Sequence, residues 1–108
     1  MPVYNKLVRD FIPQIIEKTG KSFDTRILND EEYIDALKGK LQEEVNEYLE
    51  ADNDSDSLEE LADVLELIHA LARTHRASIE KVEQIRKQKV EKRGGFNEKI
   101  FLIEVEDD

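Results

Sequence analysis

The chain has 108 residues, 39% of them hydrophobic and 6% aromatic, which suits one domain over residues 1–108 with a lean core. A formal net charge of −10 argues against a nucleic-acid partner, because a polyphosphate backbone calls for a basic footprint. The absence of cysteine excludes a disulfide framework and a thiolate zinc site. No apolar run approaches the roughly 18 residues of a membrane span. The opening MPVYNKLVRDF lacks the apolar centre of a signal peptide. A cytoplasmic protein without membrane contact is the expectation.

Residues 1–9 read as extended rather than helical. Asp10 can cap a short helix from Phe11 to about Lys18, with Pro13 in its tolerated first turn and Gly20 ending it. After the connector KSFDTRIL, Asn29 or Asp30 starts a long helix, with Glu31 and Glu32 at its positive end. Gly39 interrupts this helix. It is either a tolerated interior glycine, costing about 1 kcal/mol, or a point of close approach by a helix or ligand.

The stretch DNDSDS is a turn by composition. It also has the look of a calcium loop, but the required glycine and closing Glu are not at the right spacing. The next helix, LEELADVLELIHALARTH, runs to about His75, capped by Ser57 with Glu60 or by Asp56 with Glu59. His69 falls away from the acids of this helix, as a buried or interface residue. Ser78 caps a third long helix, SIEKVEQIRKQKVEKR, which Gly94 and Gly95 stop. KIFLIEV then suggests a short strand or extended tail, pairing with the N-terminal segment or with another subunit. The predicted fold is all-α: a bundle of three long helices, a short N-terminal helix and an extended C-terminal tail.

Two acid-bearing helices flank the acidic break. At about 100° per residue, Ile34, Leu37, Leu41, Val45 and Tyr48 line one stripe of the first. Glu44 falls roughly 20° from Leu37, inside that stripe, with Glu47 on its flank. On the second helix Glu60 shares a face with Val64, Leu67 and Leu71, and Asp63 lies beside them. A carboxylate in an apolar stripe is costly unless it is neutral, paired or bound to a cation.

Carboxylates on an acidic helix are often simply solvated, or paired with Lys one turn away. A second acidic pair inside a strongly apolar helix argues instead for a metal. The oxygen-only set Glu44, Glu47, Glu60 and Asp63 suits Mg²⁺ or Mn²⁺ rather than zinc. Mg²⁺ held this way keeps positions open for water and substrate phosphates, which points to phosphate-ester or phosphoanhydride chemistry. Lys40, one turn before Glu44, either contacts substrate phosphate or neutralises Glu44. Lys6 and Arg9 are candidates for phosphate contacts, with a salt bridge from Arg9 to Asp10 or a neighbouring helix as the alternative. Lys89 and Arg93, in the basic second half of the last helix, are further substrate-binding candidates. A helix apolar on two opposed faces also has more to bury than a lone small bundle hides, so a homo-oligomer is expected.

With the acids placed, the chain resembles the MazG-like, all-α nucleoside triphosphate pyrophosphatase superfamily. That group includes phosphoribosyl-ATP pyrophosphohydrolase and the dimeric dUTPases. Its hallmark, E-E-x-x-E followed by E-x-x-D, reads here Glu43-Glu44-Val45-Asn46-Glu47 and Glu60-Leu61-Ala62-Asp63. NKLVRDFIP and KRGGFNEKIFL are similar to segments of small stand-alone members, so the resemblance covers nearly the whole chain.

The resemblance implies Mg²⁺-dependent hydrolysis between the α- and β-phosphates of a nucleotide, giving a monophosphate and pyrophosphate. It implies Glu44, Glu47, Glu60 and Asp63 as metal ligands. Glu43, Glu44 and Glu47 form the implied catalytic set, Glu43 binding or orienting the attacking water. It further implies a homodimer or a dimer of dimers. Phosphoribosyl-ATP hydrolysis is the neighbouring enzymatic reading. An acidic helical module that binds a protein partner, without catalysis, is the alternative of another class.

Overall fold

The computed structural model describes residues 2–107. Among them the chain forms four helices and no strand: α1 (Ile12–Lys18), α2 (Asp30–Glu50), α3 (Asp54–Thr74) and α4 (Ile79–Arg93). None is long and apolar enough to cross a membrane.

Local chemistry sets the ends of these helices. Phe11 occupies the cap position of α1 with no side-chain cap bond, so Asp10 does not play the expected part. α2 opens with a reciprocal capping box. The Glu32 N–H donates to Asn29 Oδ1 at 2.9 Å, and the Asn29 N–H donates to Glu32 Oε1 at 3.2 Å. Arg26 holds the same Glu32 carboxylate at 2.9 Å.

α3 begins earlier than expected. Its cap is Asn53, whose Oδ1 accepts from the Asp56 N–H at 2.8 Å, so neither Ser57 nor Asp56 is the cap. Asp54 and Asp56 lie in the first turn, where the helix dipole favours negative charge. Glu60 is thereby left about two turns beyond the cap, free of any capping duty. Ser78 precedes α4 but makes no side-chain cap bond, and Gly94 ends that helix in the left-handed region at φ 80°.

α2 and α3 pack side by side as a hairpin joined through residues 51–53, and α4 packs against α3. The core at their contact is small. Leu37, 2% exposed, meets Leu67 and Ala70, with Leu7, Tyr33, Leu41 and Leu71 around them. Leu7 brings the N-terminal arm onto this core. Just before it Asn5 adopts φ 47°, a left-handed conformation that Asn tolerates better than most residues.

Of the two readings of the C-terminal segment, a short strand or an extended tail, the strand does not form. Residues 96–107 follow α4 without regular structure, and Phe96 is 99% exposed. Ile100, Phe101, Leu102 and Ile103 are also exposed, because a strand needs a partner edge and none is present among the described residues. Gly39 is not a point of close helix approach either. A Cβ built there meets nothing within 4 Å.

Candidate metal centre

The hairpin sets the acids of α2 against those of α3. Glu44 and Glu47, one turn apart, face Glu60 across the helix contact. One carboxylate oxygen from each of the three lies within 4.8 Å of the others. Glu44 is only 8% exposed, and its neighbours on α2 are the apolar residues that pack on Leu67, as the helical spacing requires.

The electrostatics of this cluster are unbalanced. Lys40 Nζ lies 3.8 Å from Glu44 Oε1, too long for a hydrogen bond. Glu44 Oε2 and Glu60 Oε2 are both buried without a hydrogen-bond partner. Burial pushes the Glu44 carboxyl up to about 7, and the facing Glu60 and the charges of Glu47 and Asp63 push it the same way. For Glu60 the interaction with Glu44 pulls downward, but burial and the charges of Glu47 and Asp63 outweigh it, and its carboxyl is raised too.

Asp63, the fourth acid, is engaged elsewhere. Arg9 Nη2 donates to its Oδ1 at 2.7 Å, so its carboxylate stands outside the group of three oxygens. Arg9 therefore bridges to a neighbouring helix rather than to Asp10. Glu43, about 100° round the helix from Glu44, points to the flank, where Lys6 Nζ holds it at 3.3 Å. Of the two roles open to Lys40, neutralising Glu44 matches its placement. Lys89 and Arg93 lie on the exposed surface of α4, and neither forms an ion pair with any of these acids among the described residues. His69 is half-buried further along α3.

Sequence reasoning missed how the arm is anchored. Leu7 sits on the core and carries Lys6 and Arg9 to an acid on each helix. The signal was an apolar pair between two cations, Lys6-Leu7-Val8-Arg9, in a stretch otherwise read only as extended.

The donor set fits a hard divalent cation. It is all oxygen, it is concentrated in one partly buried spot, and two of its oxygens have no partner that a cation would displace.

No family model matches this chain, and no solved structure matches it closely enough to carry an argument. Among curated proteins it is similar to an uncharacterized protein of Mycolicibacterium smegmatis (strain ATCC 700084 / mc(2)155). The two are 46% identical over 54 residues, 50% of this chain and 55% of the relative. The chain thus spans about half the length of the curated relative it matches.

Proposed function

We propose that this chain is a Mg²⁺-dependent nucleotide pyrophosphohydrolase, with Mn²⁺ also able to serve. It cleaves the α–β phosphoanhydride of a nucleoside triphosphate or related nucleotide to a monophosphate and pyrophosphate. The observation that carries this reading is Glu44: a buried carboxylate with an orphaned oxygen, turned towards two further carboxylates. Burying such charge without compensation costs several kcal/mol per ion. A divalent cation is the partner that an oxygen-only set selects.

Glu44, Glu47 and Glu60 would hold the ion, and Asp63 would join them once Arg9 lets it go. When bound, the ion supplies an electrophile for phosphoryl oxygens and lowers the pKa of a water. The side chains do the remaining work. Glu47 is exposed, so its carboxylate can take a proton from the attacking water. Glu43, steadied by Lys6 outside the cluster, orients that water. Lys6, Lys40 and Arg9 supply positive charge beside the acids, where substrate phosphates arrive. Chemistry of this kind needs positioning and electrostatics more than a large scaffold.

The same reading includes a MazG-like bundle assembled as a homodimer or dimer of dimers. What supports assembly is the apolar stripe Leu58, Leu61 and Leu65 on α3, exposed beside a core this small. That stripe also favours a second reading, an acidic helical module docking a protein partner.

A nucleotide panel separates them. Wild-type protein is incubated with nucleoside and deoxynucleoside triphosphates and phosphoribosyl-ATP, with Mg²⁺, Mn²⁺ or no metal. Pyrophosphate and monophosphate should appear only with metal, and Glu47→Gln should abolish release while helical content is kept. If wild-type protein releases nothing across the panel, the hydrolase reading fails and the interaction module takes its place.

A further inference from the structure

We propose that the cleft between the N-terminal arm and α2, walled by Lys6 and Lys40 and floored by Gly39, is a subsite for the pyrophosphate half of the substrate. The choice of pyrophosphate rests on the hydrolase reading above; the anion-binding character of the cleft does not. The cleft has a volume of about 170 Å³ and is bounded by Lys6 and Leu7 of the arm and by Ala36, Gly39, Lys40 and Glu43 of α2. At roughly 30 Å³ per water, that is room for about five or six waters, enough for one or two phosphate groups. Gly39 precedes Glu44 by five residues, about 7 Å along the helix axis. The two are also about 140° apart round the helix, with Lys40 between them, so a polyphosphate chain leaving the acid cluster passes Lys40 to reach the cleft.

Two features of this cleft suit a group from outside the chain. The first is Gly39. It sits in the middle of a 21-residue helix, where glycine destabilises relative to alanine. Its backbone is not left-handed, and a Cβ would meet nothing within 4 Å, so neither strain nor packing demands a glycine. What the missing side chain provides is a bare floor, and space of that kind serves a group that is not part of the polypeptide.

The second is Lys40. Its side chain is only 26% exposed, yet its ammonium stops 3.8 Å from Glu44 and makes no hydrogen bond among the described residues. An ammonium carries three donors, and ion pairing with Glu44 at this distance leaves them open to an incoming anion. Lys6 faces it across the cleft and spends one donor on Glu43 at 3.3 Å. In a chain of net charge −10, two ammonium groups converging on one small cleft select an anion. Phosphate oxygens satisfy the remaining donors.

The test uses the full-length chain and sodium pyrophosphate as the probe, titrated by calorimetry with and without Mg²⁺. Wild-type protein binds the probe. Gly39→Leu, which fills the floor with a good helix former, and Lys6→Met each weaken it by about ten-fold, the loss of roughly one charge-assisted hydrogen bond. Gly39→Leu keeps the Mn²⁺ affinity of the acid cluster and melts no lower than wild type. Wild-type protein that fails to bind pyrophosphate overturns the proposal, and so does Gly39→Leu binding it as tightly as wild type. Should Gly39→Leu instead split an oligomer and leave pyrophosphate affinity intact, the floor belongs to a contact between copies and the proposal is wrong. If the nucleotide panel shows no hydrolysis while Gly39→Leu loses pyrophosphate, the anion subsite stands and the hydrolase reading alone is lost.

Discussion

Arg9 and Asp63, 54 positions apart in the sequence, meet at 2.7 Å and tie the N-terminal arm to α3 at the edge of the acid cluster. Both side chains are well exposed, 59% and 40%, so the pair adds little to stability, less than about 1 kcal/mol. Its consequence lies in competition, because an incoming cation and Arg9 want the same carboxylate. Arg9→Met is expected to tighten Mn²⁺ binding by up to about five-fold, the factor that corresponds to such a pair. A Mn²⁺ titration followed by electron paramagnetic resonance reads this directly. Unchanged or weaker binding would mean that Asp63 is no part of the cation site.

The acid cluster makes stability depend on pH in a definite sense. The Glu44 carboxyl lies at about 7 in the fold against an ordinary 4.5, so between those values the folded chain holds a proton that the unfolded chain has lost. Metal-free stability therefore falls as pH rises from 4.5 to about 7, then levels. The melting midpoint should be lower at pH 8 than at pH 5 by on the order of 10 °C. Glu44→Gln should remove most of that slope, with the raised Glu60 carboxyl supplying the remainder. Saturating Mg²⁺ should flatten it as well, since the ion takes the place of the proton. An equal slope in Glu44→Gln would show that the titration belongs to other groups.

Metal should also raise the midpoint itself. At ten times its dissociation constant a cation bound only by the folded chain adds about 1.4 kcal/mol. Glu47→Gln, which removes an exposed ligand without opening the core, should abolish the rise while leaving the metal-free melt close to wild type. A wild-type melt indifferent to millimolar Mg²⁺ and Mn²⁺ would argue that the cluster holds neither.

The core leaves little in reserve. Leu37 is 2% exposed at the centre of the α2–α3 contact, and Leu37→Ala should cost about 2–5 kcal/mol. In urea this should move the midpoint far enough that the folded baseline is shortened or lost. A shift below about 1 kcal/mol would place the principal core elsewhere, in a contact between chains.

The apolar stripe on α3 gives that contact a direct check. Leu61→Glu combined with Leu65→Glu, both exposed in the single chain, should leave secondary structure in place yet convert an oligomer to a monomer in sedimentation. No change in mass would remove the stripe from any contact between copies.

Much of this arrangement was legible before any coordinates. Glu44 falls beside Leu37 by helix geometry alone, so its burial follows from a count of residues. α2 starts where an Asn is followed three residues later by a Glu, and the capping box observed there is the physical form of that spacing. The beginning of α3 was hidden because Asp, Asn and Ser serve equally well in turns and in first helical turns; Asn53 resolves the ambiguity only once its oxygen meets the Asp56 N–H. The tail shows a different limit. Strand propensity in KIFLIEV reports how those residues would sit in a sheet, but a ladder requires a second strand, which propensity does not supply. Nor does an extended arm disclose which acids its cations will find. That depends on where Leu7 lands, a tertiary fact.

The link of residues 51–53 has a kinetic corollary. Because α2 and α3 are neighbours in the chain as well as in space, closing their hairpin is the most local tertiary event available, and local contacts assemble early. Closing it also crowds Glu44, Glu47 and Glu60 together, so like charges resist the very step that nucleates the fold. Divalent ions should consequently accelerate refolding rather than merely retard unfolding, and the chevron should shift chiefly on its folding limb.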